Sequence, residues 1–325
     1  MQPLNKTGVP PILQNVSVQY RNPIYVADQV FPLIDNCPPE AKIARYLKGA
    51  WFRDEAQPRG PGSEAARGGY PVDFIDVIPK EHAFAKEVTD EDREVAAAQG
   101  GPPLQPDQDG IAFATDKILL KREIRCCAAI KAAVWSGIAA SGEDAEGLWA
   151  PNDATNTFLI DVETRKITIQ SNTGLMPNVL SIDALTYSAL KRNDAILNLI
   201  RYVQKGVLTK DLLASILDLQ EVVVAPAIQN TAKETKAGTE FTAAQVWANT
   251  AGKGMGFLCY RPPAPGLKVP AAGYMARSAL FPGGVRVTTW REENKHQDVY
   301  EAAEKIHVVP AGLDLGFMWK DTYAT

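Results

Sequence analysis

The chain has 325 residues, of which 46% are hydrophobic and 22% charged, a balance that permits a buried core and more than one lobe. Thirty-four basic residues against 38 acidic ones give a net charge of −4, and the signs are interspersed, so no concentrated basic face exists to grip nucleic acid through its phosphates. No run approaches the ~18 consecutive apolar residues of a membrane span, and the N-terminus lacks the basic and apolar regions of a signal peptide, so folding in a cytoplasm is expected.

Residues 1–45 carry little periodicity. Pro10, Pro11, Pro23, Pro32, Pro38 and Pro39 interrupt any helix, while residues 16–20 (VSVQY) and 24–26 alternate like short extended pieces. With too few apolar residues in register for a core of its own, this segment reads as an arm lying on something else. Residues 46–53 (YLKGAWFR) then predict a strand, a Gly/Pro/Arg-rich stretch covers 54–69, and residues 70–78 predict a second strand with a proline near its start. The two make a long hairpin with a charged tip, and such a hairpin is marginal in water unless another surface covers it.

Thr89 caps a short helix whose first turn holds Asp90, Glu91 and Asp92, with residues 100–103 (GGPP) ending it. The longest helical run is 111–140, with Ile111, Ala114, Ile118, Cys126, Ile130 and Val134 on one face, a rod on the order of 40 Å. Residues 158–162 and 166–169 read as strands, and residues 177–180 lead into a helix starting near Ser181. Helices are expected over 194–205, closed by Gly206, and over 209–217. Residues 221–225 and 256–260 read as buried strands. The last fifty residues are mostly strand, at 285–291, 306–309 and 315–319. The mixture predicts an α+β fold, without internal repeats or a coiled coil.

No catalytic motif is present. His82, His296 and His307 are scattered, with no metal-ligand spacing. His307 alternates with Ile306 and Val308 and so faces away from them in a strand. Residues 252–256 (GKGMG) lack the serine or threonine that a phosphate-binding Walker loop places after its lysine, and they read as a flexible turn before Phe257. Carboxylate pairs such as Asp90/Asp92 and Glu292/Glu293 read as a cap and a solvated turn rather than an acid–base pair. The four cysteines (Cys37, Cys126, Cys127 and Cys259) read as small buried hydrophobes, since neighbours at 126 and 127 point to different helix faces. No cofactor, metal or catalytic residue is expected.

Several local patterns, taken in order, resemble the major capsid proteins of tailed bacteriophages with the Hong Kong 97 fold. Val30-Phe31-Pro32-Leu33-Ile34 is similar to an arm segment of those coats. Arg59-Gly60-Pro61-Gly62-Ser63-Glu64-Ala65 and Gly68-Gly69-Tyr70 resemble the tip and return of their extended loop, the E-loop. Glu87-Val88-Thr89-Asp90-Glu91-Asp92 is similar to the segment after that loop. Residues 111–140, with Lys121-Arg122-Glu123, stand where the spine helix would be, and Pro177-Asn178-Val179-Leu180 resembles the entry to the later lobe.

The resemblance spans most of the chain. It implies an N-terminal arm (1–45), an E-loop (46–80), a peripheral domain with the spine helix (81–149), an axial domain (150–275) and return strands of the peripheral domain (276–325). It also implies a non-enzymatic coat subunit that forms pentamers and hexamers of an icosahedral shell around double-stranded DNA. Such a shell is part of the virion and is assembled in the bacterial host cytoplasm. Expected partners are other copies of the chain, a portal, a separate scaffolding protein in the absence of a pro-segment, and a cement or decoration protein. Some members weld their shell through an E-loop lysine; none lies between Ala50 and Pro79, so no such crosslink is expected. Trp51 and Phe52 are candidate interface anchors, and Arg53, Arg59, Glu64 and Arg67 are candidates for charge pairing between subunits. Competing readings are an encapsulin-type nanocompartment subunit and, from another class, an α+β enzyme or binding module with its site in the later lobe.

Overall fold

The computed structural model describes residues 21–97, 104–138, 140, 142–152, 155–200, 208–233, 240–250, 252–266 and 268–323. The expected extended piece at 16–20 and the breakers at 100–103 and 206 lie outside them. The described chain begins with α1 (Ala27–Val30), β1 (Leu33–Cys37), β2 (Ala41–Tyr46), α2 (Lys48–Trp51), β3 (Val72–Val77), β4 (Lys80–Thr89), α3 (Asp90–Ala97) and α4 (Pro106–Ala132). It continues through β5 (Glu143–Asp144), α5 (Phe158–Thr173), β6 (Val179–Asp183), α6 (Ala184–Leu190), α7 (Asp194–Ile200), α8 (Lys210–Ile216) and β7 (Glu221–Ala225). The last part holds β8 (Ile228–Asn230), β9 (Ala243–Gln245), β10 (Ala248–Thr250), β11 (Lys253–Cys259), β12 (Gly273–Ser278), β13 (Arg286–Glu292), β14 (Gln297–Pro310) and β15 (Gly316–Lys320).

Two sheets organise these elements. In the first, β14 is the axis: β4 pairs along one side of it, while β13 and then β12 follow one another along the other, with β1 outside β12. The second runs β5-β15-β11-β6-β7, with β10 added at the start of β11. Side-chain alternation along its strands separates two cores. Met255, Phe257 and Cys259 of β11, Val179 of β6 and Met318 of β15 enter a core shared with α4, α1 and β12. Leu258, Leu180, Ile182, Phe317 and Trp319 enter the opposite core with α5 and α8. The first core stacks Phe31, Trp135 and Phe257 at centroid distances of 4.8 to 6.5 Å.

Helix α4 begins five residues before the expected start and ends eight before the expected stop. Pro106 fits the first turn, where its missing N–H costs nothing, and Asp107 and Asp109 complement the dipole there. At the other end Ala133 is extended, and Trp135 turns back into the core to donate its indole N–H to the Ile130 carbonyl at 2.8 Å. Val134, placed on the helix face by periodicity, is exposed beyond the end. The Thr89 cap on α3 stands, its hydroxyl accepting from Asp92 N–H at 3.2 Å.

Three further expectations are corrected. Residues 158–173 form a helix rather than two strands: Phe158, Val162, Lys166 and Ile169 are buried at helical spacing, and Gly174 closes the helix with φ +74°. Burial of that face overrides the β-branched residues' strand preference. Residues 179–183 are strand, and the following helix starts only at Ala184, where the Asp183 carboxylate accepts from the N–H groups of Leu185 (2.9 Å) and Thr186 (3.1 Å). Residues 253–256 are part of β11 rather than a flexible turn. Gly254 and Gly256 are buried there because a Cβ at Gly254 would overlap Asp183, Thr186 and Thr322, and one at Gly256 would meet Trp149. The last strand, β15, pairs with β11 and β5 in the second sheet.

Glu123, in the middle of α4, is fully buried and accepts from Val26 N–H (3.1 Å), Ala27 N–H (2.9 Å) and the Trp247 indole. Burial pushes its carboxyl up, and the three donors partly counter that. Glu123→Ala is expected to cost about 3 kcal/mol or more, because it strands three buried donors. Glu123→Gln, which keeps one acceptor, is expected to cost less. Urea unfolding of the purified chain followed by tryptophan fluorescence measures both.

Candidate assembly surface

The expected hairpin forms, but its first strand ends at Tyr46 rather than spanning 46–53. Strand β2 runs antiparallel to β3 from Ala41↔Val77 to Tyr46↔Val72. Arg45 lies opposite Asp73 and ion-pairs with it, and Lys42 pairs with Asp76 at 3.4 Å. Both pairs are solvent-accessible, so they set register more than they stabilise. Ile43 and Ile75 turn toward the body, against a buried group of Cys37, Val77, Ala276 and Val309. That contact gives the hairpin the third surface an isolated one lacks.

Past Tyr46 the chain leaves the body. Leu47 N–H reaches the Pro71 carbonyl, and α2 turns once because Lys48 is tied down, its ammonium 2.8 Å from Asp314 and 3.3 Å from the Asn172 carbonyl. Every residue from 51 to 71 is then exposed. A turn at Gly60 closes with Ser63 N–H and Oγ both on the Gly60 carbonyl, and Gly62 supplies φ +82°.

The sequence-predicted site residues all fall here. Trp51 is 59% and Phe52 69% exposed. Trp51 joins Tyr46 and Tyr70 in a cluster with centroids 5.5 to 6.1 Å apart, a grouping the sequence reading missed although all three residues flank the loop. Phe74 adds a fourth exposed ring. Arg53 pairs with Glu55 at 3.3 Å and Arg67 with Glu64 at 3.5 Å, so three of the four charges expected to wait for a neighbour are met within the loop itself. Arg59 stands exposed at the turn. Beneath the hairpin an open groove of about 850 Å³ runs between Ile43, Tyr46 and Trp51 on one wall and Leu175, Val269 and Leu313 on the other. Large exposed aromatics of this kind mark surfaces that another macromolecule covers.

Where the hairpin returns to the body, Ile78 N–H donates to His307 Nδ1 at 3.2 Å. The bond requires that nitrogen to be unprotonated. Burial, then the charges of Arg125 and Lys80, hold the His307 pKa below the ordinary imidazole value. His82 is lowered in the same way by burial and by Arg125. The four cysteines are free and buried. Among the described residues no group of three or more His, Cys, Asp or Glu side chains is placed to hold a metal ion, and no helix is long and apolar enough to cross a membrane.

Trp51→Ala and Phe52→Ala are expected to shift the urea midpoint of the chain little, because neither ring is in its core, while reducing recovery of assembled particles severalfold. Gradient sedimentation beside urea unfolding separates the two effects. For pH, a depressed histidine contributes stability that is present above its unfolded value of about 6.5 and lost as pH falls below it. The urea midpoint should therefore drop on acidification below that value, and His82→Gln/His307→Gln should flatten the dependence.

No model of a known protein family matches the chain. The chain is 26% identical to the major capsid protein of Burkholderia phage BcepMu over 223 residues, 68% of this chain and 69% of that one. A phage-related protein from Bordetella bronchiseptica RB50 superposes with a TM-score of 0.65 at 20% identity, over 94% of this chain and 95% of that one. The capsid protein of the cyanophage P-SCSP1u gives 0.62 at 10% identity, over 97% and 93%. An encapsulin from Synechococcus elongatus gives 0.53 at 10% identity, over 91% and 88%. The chain is thus similar in sequence to a phage major capsid protein and shares, along nearly its whole length, the Hong Kong 97-like fold of phage capsid proteins.

Proposed function

We propose that copies of this protein assemble as pentamers and hexamers into the icosahedral shell of a tailed phage, and that this shell encloses double-stranded DNA. The observation that carries the reading is a capsid fold whose E-loop leaves Trp51, Phe52, Tyr70 and Phe74 in solvent on the single subunit. A surface of that size and character is stable in water only when a neighbour covers it. Trp51 and Phe52 are the anchors in this reading. Arg59, Arg53, Glu64 and Arg67 line the rim, where exposed charges steer and orient more than they bind.

The arm is assigned to residues 1–45 and the E-loop to 46–80. The peripheral domain comprises α4 and the first sheet, including return strands β12 to β14. The axial domain comprises the second sheet with α5 to α8 and takes in β15. The role is structural and non-enzymatic, and DNA is enclosed without sequence-specific contacts, in keeping with a net charge of −4. A portal, a scaffolding protein and a decoration protein are the partners such a shell calls for, with assembly in the host cytoplasm. Residues 50–79 contain no lysine, so no isopeptide weld forms through the E-loop.

A nanocompartment subunit is the second reading, favoured by the fold shared with an encapsulin. Expression of the chain followed by negative-stain microscopy tests both. Closed shells tens of nanometres across are expected, and they should dissolve to single chains on boiling in detergent. Small soluble oligomers would overturn the reading. Shells that package a protein cargo and cannot be filled with DNA would favour the nanocompartment.

A further inference from the structure

The first sheet ends in three open edges, and they are not alike. The outer side of β4 carries Lys80, Glu81, Lys86 and Glu87, charges of the kind that discourage a further strand from pairing. The outer side of β1 is irregular: its register against β12 shifts between Ile34 and Cys37, and Asn36 takes a positive φ of 60°. Strand β13 keeps its charges at its two ends, Arg286 at the first and Arg291 and Glu292 at the last, around an uncharged middle from Val287 to Trp290. It reads Arg-Val-Thr-Thr-Trp-Arg-Glu, without proline, glycine or lysine, and pairs with β14 over all seven residues without a register shift. Among the described residues its outer side is unpaired, its first six residues are exposed, and Val287 (42%) and Trp290 (39%) leave apolar surface in solvent. In an antiparallel ladder alternate residues turn their N–H and C=O away from the partner strand, so this edge presents a row of free backbone groups.

We infer that β13 pairs with β13 of a second copy across a two-fold axis, joining two first sheets edge to edge. The inference rests on the shell reading above and names one of its contacts. The sequence of the strand selects this occupant. A two-fold axis through an antiparallel pair must centre on one residue facing its own copy, because side chains of paired residues share a face. Centred on Thr289, all seven residues are matched, and Arg286 stands opposite Glu292 at both ends. Thr288 then faces Trp290, and Val287 faces the aliphatic stem of Arg291. Centring on Thr288 or Trp290 leaves strand residues unmatched and removes the Arg286–Glu292 opposition.

Within the subunit the two charges are held unequally. Arg286 is exposed and lies 3.8 Å from Glu81, whereas Glu292 is half-buried, 2.9 Å from Lys295 and accepting from the Gln297 amide at 2.9 Å, partners that the contact across the axis would exchange for Arg286. Arg291 is occupied by Asp90 at 2.6 Å and stays on the opposite face of the strand. Opposed charges and aromatic–β-branched pairs across neighbouring strands are the contacts that fix sheet register.

Thr289→Cys tests the contact directly, because the four native cysteines are buried and the new thiol is the accessible one. Treated with a short bismaleimide, shells of this variant should yield covalent dimers, since the residue meets its own copy. The charge series tests the register. Arg286→Glu and Glu292→Arg each place like charges at both ends of the pair and should lower shell yield about tenfold or more. The double reversal should restore the yield to within about twofold of the unmodified chain. Shells that form normally without coupling at position 289, or a double reversal that stays as defective as the single ones, would overturn the inference and leave the shell reading standing. If the unmodified chain forms no shells, the shell reading fails, and coupling of the soluble Thr289→Cys chain still decides the edge contact: dimers support it and their absence overturns it.

Discussion

The buried carboxylate of Glu123 is the constraint on which the arrangement of this subunit turns. It sits near the centre of a 27-residue helix, about 40 Å of rigid rod, and receives backbone N–H groups from Val26 and Ala27 and the indole of Trp247. A buried charge without partners is costly, so the carboxylate must be met by donors, and the donors come from opposite ends of the chain. One side fixes the arm where it enters α1. The other fixes the segment that leads into β10 and the second sheet. Arg122, next in sequence, points elsewhere and links Asp28 to Glu304 of β14. The spine helix is thereby bound to the arm and to both sheets through adjacent residues, and Phe31, Trp135 and Phe257 pack into the space this leaves.

Around that frame the second sheet works as a partition. Its strands are buried on both faces, which is why β6 reads Val-Leu-Ser-Ile-Asp without alternation and β11 uses glycine where Trp149 and Asp183 press against it. The first sheet is different: it is covered on the side of α4, while the edge at β13 and the neighbouring β2–β3 hairpin with its loop are open. The interior of the subunit is closely packed and its periphery is open. A monomeric protein blunts open edges and folds its aromatic side chains inward. This one presents Trp51, Phe52, Tyr70 and Trp290 instead, as a subunit does whose remaining partners are other copies.

The parts legible in the sequence are those set by local rules. The acidic first turn and Thr89 cap marked α3, the Thr209 cap marked α8, and the run at 221–225 formed a strand with those bounds. The hairpin of the E-loop was legible because its two strands flank a stretch rich in glycine, proline and charge. The failures share one cause. Helix α5 contains Ile160, Val162, Ile167 and Ile169, and its alternating look arises because Ile160 and Ile167 face solvent while the others face the core. Only Gly174, a helix-closing glycine, pointed the other way. Glu123 was likewise hidden, since a glutamate in a helix is ordinarily a solvated residue and its three donors are distant in sequence.

The sequence by itself therefore determined the α+β class, the positions of α3, α8 and β7, and the place of the charged loop between β2 and β3 with Trp51 and Phe52 at its root. Those follow from turn chemistry, capping and composition, which act over a few residues. Tertiary structure alone decided that β15 joins the second sheet, that Arg53 and Arg67 find partners within their own loop, that three tyrosine and tryptophan rings gather at its base, and that the outer side of β13 is left unpaired among the described residues. Each of these depends on which distant strand lies alongside, and side-chain period and propensity carry no information about that neighbour.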